Sequence, residues 1–144
     1  MPLNPQTQYT VAYEKQELRL LTGSCSYMYI DLDEPRVGVS STSDLRFQGS
    51  CSSNPSTLRV DEATAATAET ATLTPQDCAE RIRTGPLGED ASVPVRQGVV
   101  MCIVTSRTEA QTQGISQKMV LLEVRAVGSD GTVNVMVTAW HIPK

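Results

Sequence analysis

Four cysteines, Cys25, Cys51, Cys78 and Cys102, stand at near-even intervals along the chain, and no two of them form a Cys-x-x-Cys pair. A structural zinc site draws its ligands in close pairs from a knuckle, and the sole histidine is His141, which argues against a zinc centre. A redox dithiol needs two thiols one turn apart at a helix start, and that arrangement is missing too. What is left is two structural disulfides or four unrelated buried thiols. An even count in a small domain rich in Ser and Thr favours disulfides. Four cysteines allow three connectivities. Cys25–Cys51 with Cys78–Cys102 is favoured because both bonds are sequential and close loops of similar size, each contributing about 3 kcal/mol by loop-closure entropy. Spacing alone does not settle the pairing. Disulfides imply an oxidising compartment, with the export signal expected in a removed prepeptide or in a longer parent protein.

At 144 residues the chain is the size of one domain, able to bury roughly two-thirds of its unfolded surface. Hydrophobic residues make up 40% and charged residues 19%, a balance that excludes disorder driven by charge. A net charge of -4 gives no cationic field for a phosphate backbone, so nucleic acid is not an expected partner. No apolar run approaches the roughly 20 residues that span a bilayer. Residues 1–8, polar with two prolines, read as a disordered arm or linker, and residues 9–144 as a single β-rich domain.

Period-two alternation is the dominant pattern. Tyr9 to Leu21 suggests one or two strands. Ser26 to Glu34 reads as a strand with Met28, Ile30 and Leu32 on a core face and Tyr27, Tyr29, Asp31 and Asp33 on the other. Pro35 ends it, and short strands follow near residues 37–39, 44–48 and 57–60. Residues 61–73, rich in Ala, Thr and Glu, read as a solvated strand edge or a loop. Thr74-Pro75-Gln76-Asp77 is a helix start, with the stop at Gly85. The uncharged run Val99 to Thr105 predicts a strand buried on both faces, and the polar stretch Ser106 to Ser116 a mobile loop. Residues 118–127 and 132–142 form a hairpin joined by Gly128-Ser129-Asp130-Gly131, where Asp-Gly suits positive-φ positions. The expected fold is mainly β, with seven to nine strands in an antiparallel sandwich or partly open barrel and one short α-helix.

Chemistry is sparsely marked. His141 lies near the end of the sequence with no Gly-x-Ser-x-Gly elbow, and it reads as a surface residue beyond the last strand. Glycine-rich phosphate loops are missing, and no cofactor is implied. Asp31 and Asp33, about 7 Å apart on one strand face, have the spacing of a carboxylate pair for glycoside hydrolysis or of two oxygen ligands for Ca²⁺; the plainer expectation is that both face water. Tyr27 and Tyr29 share that face. Trp140 falls opposite the apolar face of the last strand, with Asn134, Met136 and Thr138. Exposed aromatics beside carboxylates and amides recognise sugar rings or peptide by stacking and hydrogen bonding. A second core layer covering that face would give the same pattern and is the plainer expectation.

Several short features are similar to outer, β-rich segments of membrane-anchored or secreted actinobacterial proteins, including receptor-type serine/threonine kinases. They are Asp31-Leu32-Asp33, Thr74-Pro75 with Cys78, Val95-Arg96-x-Gly98 with Cys102-Ile103-Val104-Thr105, and Val137-Thr138-Ala139-Trp140, spread over residues 17–142. The resemblance implies an extracytoplasmic location, a Cys78–Cys102 bond and a sensing or interaction role without catalytic residues. The chain departs from it in the Ser106 to Ser116 stretch and in the added Cys25 and Cys51, and it has no kinase domain. The sequence therefore points to a non-catalytic extracytoplasmic binding or sensor domain for a protein, peptide or carbohydrate. The alternatives are a small secreted hydrolase using Asp31, Asp33 or His141 on glycan or cell-wall material, and a structural envelope module without a ligand.

Overall fold

A computed structural model describes residues 7–39, 44–88 and 90–143, and shows two five-stranded antiparallel sheets packed face to face. The expected arm, residues 1–8, lies outside them except for Thr7 and Gln8. The first sheet has the order β1 (Thr10–Leu20), β10 (Val133–His141), β9 (Lys118–Val127), β8 (Val100–Val104), β6 (Thr64–Ala68). The second runs β3 (Arg36–Val39), β2 (Tyr27–Asp31), β4 (Leu45–Gln48), β5 (Thr57–Val60), β7 (Ser92–Pro94). Neither sheet closes on itself, so the sandwich alternative holds. The ten strands among the described residues exceed the seven to nine expected, as residues 61–73 contain β6, an edge strand with Ala65 and Ala66 buried.

Alternation decides the core. Val133, Val135, Val137 and Ala139 of β10 and Val120, Leu122 and Val124 of β9 meet Ile30, Leu45, Phe47 and Leu58 from the second sheet in one cluster. Strand β8 is buried at every position. Met101 and Ile103 enter that core, while Val100, Cys102 and Val104 join a second cluster under helix α1 (Pro75–Thr84) with Cys78, Ala79 and Ile82. A strand covered on both sides has no position for a charge, which is the origin of the uncharged run.

Helix α1 starts as its sequence dictates. The Thr74 side chain accepts from the Asp77 amide and Asp77 accepts from the Thr74 amide, a reciprocal capping box, with Pro75 at the first position. The Cys78–Cys102 disulfide ties the helix to β8, and Cys25–Cys51 ties the β1–β2 connection to the β4–β5 connection. Both bonds follow the sequential pairing. They fit a small extracytoplasmic domain, and among the described residues no helix is long and apolar enough to cross a membrane.

Two expectations are corrected. Ser106 to Ser116 is not a loop but contains a second helix, α2 (Arg107–Gln113). Ser106 Oγ accepts from the Glu109 amide, Gly114 takes φ 70° at the end, and Ala110 is buried; cap, stop and one apolar anchor outweigh the polar composition. In the β9–β10 hairpin Gly131 alone takes positive φ, at 91°, after a turn closed by Gly131 N–H to the Gly128 carbonyl. Asp130 Oδ1 instead accepts from the Thr132 amide at 2.9 Å.

Candidate functional site

The five residues singled out by the sequence occupy three different environments. Strand β2 ends at Asp31, and residues 32–35 turn instead of continuing the ladder. The alternation that put Asp31 and Asp33 together facing water therefore breaks, and Asp33 is turned inward and buried. There it meets Asp44, which precedes β4; Asp31, Asp33 and Asp44 each bring an oxygen within 4.8 Å of the others.

Donors occupy Asp44 and Asp31, whereas Asp33 Oδ1 is buried without a hydrogen-bond partner. Asp44 accepts from the Leu32 amide at 2.8 Å and the Ser106 amide at 2.7 Å, joining the β2–β3 turn to the start of α2. Asp31 accepts from the Asp33 amide at 3.0 Å and from Arg36 Nη2 at 2.8 Å. Lys118 Nζ lies 3.8 Å from Asp33 Oδ1 and donates to the Ser116 carbonyl at 2.9 Å. Tyr13 Oη donates to the Leu32 carbonyl at 2.7 Å. Burial pushes the Asp44 carboxyl up to about 7 despite its two amide donors, raises Asp33 and holds the Tyr13 phenol far above its ordinary range. Asp44 and Asp31 accept from the Leu32, Ser106 and Asp33 amides where four segments meet. A cation there would displace the amide and guanidinium donors and face the Lys118 ammonium. His141 Nδ1 faces the Ser116 hydroxyl at 3.4 Å, not a carboxylate.

Trp140 is on the outer side of the first sheet, half-buried against the α1 cluster beside Tyr9, Ala68, Ala71 and Leu73. This is the second core layer. Tyr27 and Tyr29 are on the outer side of the second sheet, across the sandwich, and so share no surface with Trp140.

The tyrosines do have neighbours that sequence reasoning missed. In register, Tyr29 lies opposite Arg46, Arg46 opposite Arg59, Tyr27 opposite Gln48 and Gln48 opposite Thr57. The inward residues of β4 and β5, Leu45, Phe47, Leu58 and Val60, all enter the core, which leaves Arg46, Gln48, Thr57 and Arg59 facing out with the tyrosines. The Arg46 guanidinium lies 5.2 Å from the Tyr27 ring centre, a cation–π contact. Asp61 Oδ1 lies 3.8 Å from Arg46 Nε, and Asp90 Oδ1 lies 3.8 Å from Nη2 of both arginines. Helix α1 covers β6, β8 and β9, whereas Tyr27 remains 43% exposed. The signal for this face was available: the period-two count applied to β4 and β5 as to β2. Comparison with known proteins finds no matching family, no matching curated protein and no matching solved structure.

Proposed function

We propose that the chain is a non-catalytic, extracytoplasmic binding domain whose recognition surface is the outer face of β2, β4 and β5. The supporting observation is the aromatic and arginine-bearing row Tyr27, Tyr29, Arg46 and Arg59 on the one sheet that α1 does not cover. A rigid sheet presenting ring faces beside hydrogen-bonding groups suits an extended polar ligand. Two disulfides support the oxidising location. Affinity electrophoresis in gels carrying soluble polysaccharides, neutral and acidic, tests the reading. Wild-type protein is retarded by at least one polymer, and the folded Tyr27→Ala, Tyr29→Ala double variant migrates freely. Equal retardation of the two proteins, or none for either, rejects this surface.

A further inference from the structure

Resting on that reading of the sheet face, we infer that its ligand is a carboxylate-bearing glycan whose acid group sits between Arg46 and Arg59, in the place the Asp90 side chain now takes. Two arginines directly opposite each other in a ladder repel, and the register puts Arg46 and Arg59 in that relation. The repulsion is tolerable where an anion lies between them. Asp90 supplies one badly. Its Oδ1 is 3.8 Å from Nη2 of each arginine, an ion-pair distance beyond hydrogen-bond reach. Nε of Arg46 and Nε of Arg59 are buried without an acceptor, as is Thr57 Oγ1 beside them. Two guanidinium forks built for bidentate carboxylate contacts thus face Asp90 Oδ1 between them and Asp61 Oδ1 beside Arg46 Nε, each at 3.8 Å and so beyond hydrogen-bond reach.

Asp90 is also poorly committed to this position. Its backbone is held at φ 59°, a conformation that Asp visits at some expense, and its side chain is 62% exposed. It is a tethered stand-in that a freely approaching carboxylate can replace with shorter bonds. The outward side chains of β2, β4 and β5 named above include no aliphatic residue, so the face offers no apolar pocket for peptide side chains. Ring faces, amide and hydroxyl groups beside a carboxylate clamp match a uronic acid polymer.

Titration calorimetry with oligogalacturonate and with its methyl ester tests this, since the two share rings and linkage and differ in charge. The acid binds, and the ester binds about tenfold or more weakly, the size of a charge-assisted hydrogen bond. Asp90→Asn tightens the acid and leaves the ester unchanged; Arg59→Gln, with an unaltered circular dichroism spectrum and melting temperature, removes the preference for the acid. Equal binding of acid and ester overturns the carboxylate assignment while leaving the sheet face as a binding surface. Loss of acid binding in Asp90→Asn overturns the stand-in role. Binding of poly-glutamate with neither sugar overturns the glycan class, and binding of the acid that survives both Arg59→Gln and the tyrosine double variant overturns the site itself. Failure of both sugars and poly-glutamate to bind also overturns it.

Discussion

Asp33 and Lys118 form an ion pair inside the protein: Oδ1 and Nζ are 3.8 Å apart, and the two side chains are 3% and 7% exposed. They come from the β2–β3 turn and the first residue of β9, so the pair spans the two sheets at one end of the core. Removing one partner of a buried pair strands the other charge, which costs about 3–5 kcal/mol. Lys118→Met is expected to destabilise by about 3 kcal/mol at neutral pH, read by urea denaturation. The loss shrinks as pH is lowered, because burial raises the proton affinity of Asp33 and protonation neutralises the stranded charge. Adding Asp33→Asn recovers most of it. A variant as stable as wild type at pH 7 refutes the pairing.

The Asp44 carboxyl gives the fold a pH dependence of unusual sign. Its ordinary value of 3.8 is pushed up to about 7, with desolvation outweighing the Leu32 and Ser106 amides and with Asp33 and Asp31 adding repulsion. A group with higher proton affinity in the folded state contributes stability that is complete below its unfolded value and is lost as pH rises through the folded one. Asp33 shifts the same way. Stability, followed by the melting temperature, is therefore expected to fall from about pH 4 to pH 7 and to level off above, with Asp44 contributing up to about 1.4 kcal/mol per pH unit. Asp44→Asn, less stable overall because an amide cannot accept from both backbone donors, flattens the profile. A melting temperature that rises over this interval contradicts the assignment.

The two disulfides differ in access. Cys78 and Cys102 are fully buried, whereas Cys25 is exposed and Cys51 half-buried. Reduction requires a thiolate to reach a sulfur atom. Native protein in millimolar dithiothreitol, trapped by alkylation and mapped by mass spectrometry, is expected to label Cys25 and Cys51 first. Cys78 and Cys102 follow only when denaturant opens the α1 cluster. Replacing both with alanine costs about 3 kcal/mol and loosens α1 from β8, seen as faster hydrogen exchange in the helix. Simultaneous labelling of all four cysteines counts against this order.

Local patterns carried as far as their physics reaches. Helix α1, the β9–β10 hairpin and the doubly buried β8 are legible because caps, alternation and lack of charge are properties of contiguous residues. Helix α2 carries comparable marks in Ser106, Glu109 and Gly114, inside a stretch whose polar composition reads as a loop. Alternation puts Asp33 beside Asp31, but the ladder ends at Asp31 and the period of two ends with it. Asp44 and Lys118 carry no local mark. Their meaning arises when the sheets close and bring β4, β9 and the β2–β3 turn to one place. Alternation puts Trp140 on the outer side of β10, where it packs against the α1 cluster, but alternation alone does not say that a helix covers that side. The Arg46 and Arg59 pairing depends on strand register, which a single strand does not encode.

Gly49 fixes how closely two connections at the rim approach. A Cβ at this position would lie 2.5 Å from the Gly23 carbonyl oxygen and 3.2 Å from the Thr22 methyl. The first neighbour is backbone, so it cannot rotate away. The same two connections are joined by Cys25–Cys51 and by the Cys25 amide bonding to the Ser50 carbonyl at 3.1 Å, which prevents them from parting to relieve the clash. Gly49→Ala is therefore expected to destabilise by about 1–3 kcal/mol, the range of an overpacked site. The cost should be smaller in a Cys25→Ser, Cys51→Ser background, where the connections can separate. Denaturation of the four proteins in a double-mutant cycle measures that coupling. Additive costs, with the same loss whether or not the disulfide is present, would show that the disulfide does not hold this approach in place.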